Sequence, residues 1–180
     1  KNNNIDFFYK KAEKKYIKKL SKFKLLKRDG IIEFPQYGFE ELKVICEKIK
    51  KFNGGALFID YGYEKNQNID TLQSVKKHQL NDLKSNITSS DITYLVNFGL
   101  YKNYFKHNGL KVENIITQSK FLQKIGIIER FKVLSKNLKF QEKTNMYLRL
   151  KRLIHPEMMG QSFKVIFAKN KKCNFNLAFK

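Results

Sequence analysis

The chain has no tryptophan, two cysteines, two prolines and nine glycines in 180 residues. Cys46 and Cys173 share no short spacing with each other or with His78, His107 and His155. Neither a disulfide framework nor a metal site is expected, and a reducing, cytosol-like compartment is the default. No apolar run approaches the roughly 18 residues of a membrane-spanning helix, and no signal peptide is visible. Arginine is almost missing: 33 of the 37 basic residues are lysine. Arginine is the side chain that contacts bases and phosphates bidentately, so its scarcity argues against specific nucleic-acid recognition despite a net charge of +21. Lysine, with 17 Asn and 17 Ile, instead reflects A/T-rich codons. The most consequential absence is a glycine-rich loop opening a helix, without which the chain has no ready cradle for a nucleotide.

What is present supports a packed domain. Hydrophobic residues make up 42%, enough for a core, and the length suits one domain or a large piece of one. The start at Lys1 predicts a fragment or a processed chain. Residues 54–62, Gly-Gly-Ala-Leu-Phe-Ile-Asp-Tyr-Gly, are the most informative. The unalternating run Ala56 to Ile59 predicts a central strand buried on both faces. It ends in Asp60-Tyr61-Gly62, and open α/β sheets bind ligands just beyond such strand ends.

Along the chain, residues 1–28 hold 11 basic and 2 acidic residues. They form a basic segment whose Tyr16, Leu20 and Phe23 could lie on an anionic surface, although a solvated basic face is the simpler reading. Ile31 to Phe34 predicts a short strand and Pro35 to Gly38 a break. Phe39 to Phe52 predicts an amphipathic helix with Leu42, Ile45, Cys46 and Ile49 on one face, ended by Asn53-Gly54-Gly55. Residues 63–90 read as loop. Asp91 reads as the N-cap of a helix through Leu95, Phe98 and Leu100, and Asn108-Gly109 as a turn. Val112 to Thr117 predicts a strand; 119–125, 128–138 and 141–154 predict helices. Pro156 and Gly160 break the pattern, Met158-Met159 reads as core, and the alternation from Ser162 to Ala168 predicts a last, antiparallel strand.

In order along the chain come Gly54-Gly55 to Asp60-Tyr61-Gly62, Thr71-Leu72-Gln73-Ser74-Val75 with His78 and Asp82, and Ser90-Asp91-Ile92-Thr93 with Val96-Asn97-Phe98. Thr117-Gln118, Phe121-Leu122, Gly126-Ile127 and Arg130 follow, then Pro156, Met159-Gly160 and Phe163-Lys164-Val165. This series resembles the MidA-like methyltransferases, which include the mitochondrial complex I assembly-factor methyltransferases and bacterial relatives. The resemblance covers about residues 29–168. It departs where Asn97 replaces the family's Asp and where Asp82 lacks a following proline.

The resemblance implies an α/β fold: the C-terminal part of a Rossmann-like class I methyltransferase sheet with an antiparallel last strand pair. It divides the chain into a basic segment at 1–28, the C-terminal half of a methyltransferase domain at 29–168 and a basic tail at 169–180. It implies S-adenosylmethionine as cofactor. The main binding loop is expected upstream, so that the missing N-terminal half, or a separate chain, is a partner and this stretch alone is inactive. It implies a protein substrate, with arginine as acceptor and a respiratory complex I subunit as the family's example, in the cytoplasm of a bacterium or in mitochondria. Asp60, Tyr61, Gly62, His78 and Asp82 are the candidate cleft-lining residues; no catalytic residue, cofactor-binding residue or metal ligand is assigned. The alternative is a basic nucleic-acid- or protein-binding module on a degenerate methyltransferase fold.

Overall fold

The computed structural model describes residues 7–27, 29–65, 67–85, 87–176, 178 and 179. Its elements are α1 (Lys14–Lys22), α2 (Gln36–Lys51), β1 (Gly55–Tyr63), β2 (Gln73–Lys76), β3 (Gln79–Asn81), β4 (Asp91–Thr93), β5 (Val96–Asn97) and α3 (Phe98–His107). Then follow β6 (Lys111–Val112), β7 (Ile116–Thr117), α4 (Gln118–Lys124), α5 (Ile127–Leu134), α6 (Phe140–Ile154) and β8 (Phe163–Lys169). Packing divides them into two discontinuous units, Lys1–Pro35 with Asn66–Leu95 and Gln36–Lys65 with Val96–Lys180. No helix among the described residues is long and apolar enough to cross a membrane.

In the first unit β2 is the middle of an antiparallel sheet in the order β3-β2-β4. A two-residue turn at Lys77 and His78, both at positive φ (50° and 64°), joins β2 to β3. That is the backbone a tight hairpin requires, formed here without glycine. The loop expected over 63–90 is thus largely a small sheet. Its signal, alternation over only three or four residues, is too short to read. Ile31 to Phe34 is not a strand, because it meets no ladder. It is held instead by Ile31 N–H donating to Asn68 O at 3.0 Å, and by Glu33, which accepts from Thr71 N–H (2.8 Å) and Oγ1 (2.6 Å). A Cβ on Gly30 (φ +120°) would stand 2.1 Å from the same Asn68 oxygen, so glycine lets the two segments meet.

The second unit is a mixed sheet in the order β5-β1-β8-β6, with β7 also on β8. Antiparallel pairing of β1 with β8 runs from Gly55↔Lys169 to Tyr61↔Phe163. The last-strand expectation holds, but the strand buried on both faces is β8, where Val165, Ile166 and Ala168 are wholly inaccessible. Strand β1 is not: Leu57 and Ile59 are 44% and 40% exposed. On one face Phe58, across from Ile166, stacks on Phe105 of α3 at 5.4 Å. On the other, Phe121 and Ala178 close over Val165, with Phe179 stacked on Phe167 at 5.7 Å. Phe175, Ala178 and Phe179 therefore pack on the sheet. Lys169 is buried with its ammonium 2.8 Å from Glu113 and donating to the Phe175 carbonyl. Each large apolar side chain so buried contributes roughly 1.5–3 kcal/mol.

Helix α2 begins at Gln36, immediately after Pro35, so the expected break at Pro35 to Gly38 is a helix start. Phe39, Leu42, Cys46 and Ile49 are buried, while Ile45 is 37% exposed. Asn53 at φ 52° ends the helix, and Gly54 N–H returns to Ile49 O at 3.1 Å. Phe39 stacks on Tyr104 at 4.1 Å and its carbonyl accepts from the Tyr104 hydroxyl. Burial pushes the Tyr104 phenol up, with Cys46 nearby adding to the rise. The folded state therefore holds that proton after the unfolded chain has released it, and the stability contributed is lost as pH rises above ~10. Tyr104→Phe is expected to cost about 1 kcal/mol at neutral pH. The gap between variant and wild type in denaturation midpoint should narrow above that pH; a gap constant with pH would contradict the assignment.

Candidate functional site

The carboxyl end of β1 is built by a change of neighbour. After Tyr61 leaves β8, Gly62 and Tyr63 pair in parallel with Val96 and Asn97 of β5. A Cβ on Gly62 would lie 2.1 Å from Val96 O, so only glycine lets β5 come this close. Helix α3 starts at once, and its cap is Asn97, whose Oδ1 accepts from Leu100 N–H at 3.0 Å. The expected cap at Asp91 is corrected: Asp91 opens β4, opposite Val75 of β2, because Ile92 and Thr93 are β-branched and favour a strand. Asn97→Ala is expected to lower stability by about 1 kcal/mol and Asn97→Asp to hold it, read as urea midpoints. Equal midpoints for all three proteins would refute the cap.

Asp60 is exposed, and its Oδ1 accepts from Tyr61 N–H at 2.8 Å. Across the ladder stands Lys164. Burial pushes the Lys164 ammonium down, the nearby Glu64 pulls it partly back, and its Nζ donates to Gln161 O. Glu64 in turn lies 3.7 Å from Lys102 of α3. The Tyr61 ring packs edge-on against Phe163 at 5.5 Å, which makes it a packed aromatic rather than a projecting phenol. A groove of about 470 Å³ follows the edge of β1, between Leu42 and Ile45 of α2, Phe58 and Ile59 of β1 and Tyr101 of α3, with carboxylates at Glu41 and Asp60. Apolar walls with two carboxylates suit a flat or cationic group.

Asp60, Tyr61 and Gly62 are thus brought together at one strand end. His78 and Asp82 belong to the first unit, at opposite ends of β3, where His78 is in the hairpin turn and Asp82 accepts from Ser85 Oγ at 2.9 Å. Four extended residues span about 13 Å, so the two do not form an imidazole–carboxylate pair. His155 Nδ1 accepts from Glu157 N–H at 3.3 Å, and Met158 is 46% exposed rather than core. Among the described residues no group of three or more His, Cys, Asp or Glu side chains could hold a metal. Sequence reasoning missed Lys164, which stands opposite Asp60. Only the β1–β8 register, which no local pattern encodes, sets Lys164 opposite Asp60.

Residues 1–116 match a family model described as "Putative S-adenosyl-L-methionine-dependent methyltransferase". The chain is 31% identical over 130 residues to the mitochondrial protein arginine methyltransferase NDUFAF7 of Xenopus laevis, covering 68% of this chain and 28% of that protein. It is 29% identical over 120 residues to the Danio rerio protein of the same name, covering 67% and 28%. The chain thus spans just over a quarter of the length of the curated relatives it matches. Two crystal structures from Burkholderia thailandensis share the fold. One has a TM-score of 0.67 at 23% identity, covering 78% of this chain and 39% of that one. The other, bound to S-adenosyl-homocysteine, has a TM-score of 0.70 at 21% identity, covering 92% and 43%. The parallel β1–β5 contact and antiparallel last strand are the C-terminal part of a Rossmann-like class I methyltransferase sheet. By the match over most of its length, this chain belongs to the MidA-like family of S-adenosylmethionine-dependent methyltransferases.

Proposed function

We propose that these residues form the substrate-side part of a methyltransferase that acts on a protein side chain, with arginine as the acceptor. The observation that carries the reading is the strand end Asp60-Tyr61-Gly62, where an exposed carboxylate lines an apolar-walled groove. The relatives' names, protein arginine methyltransferase, support the acceptor class. The neighbour bound to S-adenosyl-homocysteine supports the cofactor.

S-adenosylmethionine supplies an electrophilic methyl group and needs little acid–base help beyond alignment. The chain's own residues supply the rest. A guanidinium is planar and stays protonated in water, so the nitrogen that takes the methyl sheds a proton; the exposed Asp60 carboxylate can accept a charge-assisted hydrogen bond from it and receive that proton. The apolar groove walls beside Asp60 reduce the screening of that pair. The sequence shows no glycine-rich loop opening a helix, so we assign the cradling of the cofactor's charged groups to a segment outside these residues and read this stretch as inactive alone. His78 and Asp82 stay outside the proposal.

Two measurements test it. By calorimetry, chain 1–180 alone is expected to bind S-adenosyl-homocysteine more weakly than roughly 10 µM; tighter binding refutes the assignment of the cofactor loop elsewhere. In a protein that joins this stretch to a family segment bearing the glycine loop, Asp60→Asn is expected to cut kcat/KM toward an arginine-containing protein substrate by roughly 10–100-fold, the loss of a charge-assisted hydrogen bond. Thermal stability should be unchanged. Full activity in Asp60→Asn removes Asp60 from the site.

A further inference from the structure

We propose that α1 and the residues just before it dock on an anionic phospholipid surface. The inference is independent of the methyltransferase reading and rests on the first unit alone. At 3.6 residues per turn, Lys14, Lys15, Lys18, Lys19 and Lys22 fall in one arc of roughly 140°. Tyr16, Leu20 and Phe23 fall on the opposite side. That apolar side is already engaged: Phe23 is buried and meets Phe34 at 6.3 Å between ring centres, and Tyr16 and Leu20 are half-buried. Packing therefore fixes which way the helix faces and turns its lysine arc to solvent.

The arc is poorly neutralised. The first turn of α1 holds no acidic residue, and among the described residues its one ion pair is Glu13 with Lys15 at 2.8 Å. Lysines at the amino end of a helix also oppose its dipole, a cost that an anionic surface relieves. Immediately upstream stand three consecutive aromatics, Phe7, Phe8 and Tyr9, exposed by 59%, 83% and 101%. The Lys84 ammonium lies 5.9 Å over the Phe7 ring and carries the positive surface around to it. Aromatic side chains beside a lysine-rich face are the combination that settles at the lipid headgroup level, with the rings at the acyl boundary and the ammoniums among the phosphates.

A single-stranded nucleic acid could also meet a basic aromatic surface, but its bases need rings set inside the basic groove. The open groove beside α1 is lined by Lys14, Ile17, Lys18, Ser21 and Lys22, with no ring in it. The exposed aromatics lie outside the arc. Lysine as a point charge suits a diffuse, fluid layer of lipid phosphates better than the directional contacts of nucleic-acid recognition.

The test is flotation of chain 1–180 with vesicles of phosphatidylcholine alone, or with phosphatidylserine as about a third of the lipid. The expected result is binding to the phosphatidylserine vesicles only, weakening as salt rises. The triple variant Lys14→Gln/Lys18→Gln/Lys22→Gln should bind roughly a hundredfold more weakly, which is about 1 kcal/mol for each lysine. All three side chains are exposed, so its circular dichroism should match wild type. Phe7→Ser/Phe8→Ser should lose the residual binding that survives high salt. Equal binding to both vesicle types, no binding to either, or a triple variant that binds like wild type overturns the proposal. So does tighter, lysine-dependent binding to poly(U) than to the anionic vesicles, which would assign the face to nucleic acid.

Discussion

Chain 1–180, expressed alone, is expected to self-associate, and supplying a strand alongside β1 should prevent it. Among the described residues β1 is paired from Gly55 to Tyr61 with β8 alone, and β5 meets just Gly62 and Tyr63. The backbone of Gly55 to Tyr61 is therefore an open edge, and open edges pair with other chains. Beside it Leu57 and Ile59 are substantially exposed. Each such side chain left in water forgoes roughly 1.5–3 kcal/mol, a large share of the ~5–15 kcal/mol that holds a typical domain together. A neighbouring strand from a family segment outside these residues would cover that edge. Co-expression with a family segment that contains it should shift the chain from large species to one stoichiometric complex in sedimentation. Ile59→Lys should reduce association of the lone chain by placing a charge beside the edge. A lone chain that sediments as a monomer and melts in one cooperative step would overturn the expectation.

Gly62→Val is expected to cost more than 3 kcal/mol, at the top of the range for steric overpacking. The first side-chain atom would stand 2.1 Å from the Val96 carbonyl oxygen and 2.9 Å from its carbon. Both are backbone, so no rotamer change relieves the clash. The β1–β5 contact must open, and Asn97 and the start of α3 must move with it. Gly54 is the control, because a Cβ there meets nothing within 4 Å. Gly54→Ala should change the denaturation midpoint by less than about 0.5 kcal/mol equivalent. Equal effects at the two glycines would show that the close approach does not matter.

How far the chain could be read in advance follows from how local each signal is. The helix through Phe39, its end at Asn53, the turn at Asn108-Gly109 and the helices after Thr117 rest on periodicity and caps within one segment and are all present, although the first starts at Gln36 and the one expected to reach Leu138 stops at Leu134. Asp60-Tyr61-Gly62 was also correctly placed at a strand end. Burial of the two long strands was not legible. The uniform apolar run of Ala56 to Ile59 looks the more buried and is the less so, because among the described residues its only ladder partner there is β8. The alternation in β8 looks half-solvated, yet helices and the C-terminal residues cover both its faces. Asp91 was misread because a polar residue before an apolar run suits a cap and a strand start alike; its pairing with β2 decides. The hairpin at Lys77-His78 carries no Asn-Gly or Asp-Gly signature, so nothing marked it. The charged set around Asp60 depends on a pairing between distant segments and could not be seen before the register was known.

That pairing also bears on how the chain reaches its fold. Strand β1 emerges from the ribosome long before β8, since Gly55 waits for Lys169 more than a hundred residues later. Closing so long a loop has an entropic cost that no contact repays until the ends meet, and folds dominated by such contacts form slowly. The helices between the two strands can form first, while β1 stays without its main partner. A nascent or shortened chain that stops before Phe163 lacks the central strand altogether. The sheet is then absent as a whole rather than merely frayed, and the interval before β8 arrives is when the chain is most exposed to chaperones and to other copies of itself.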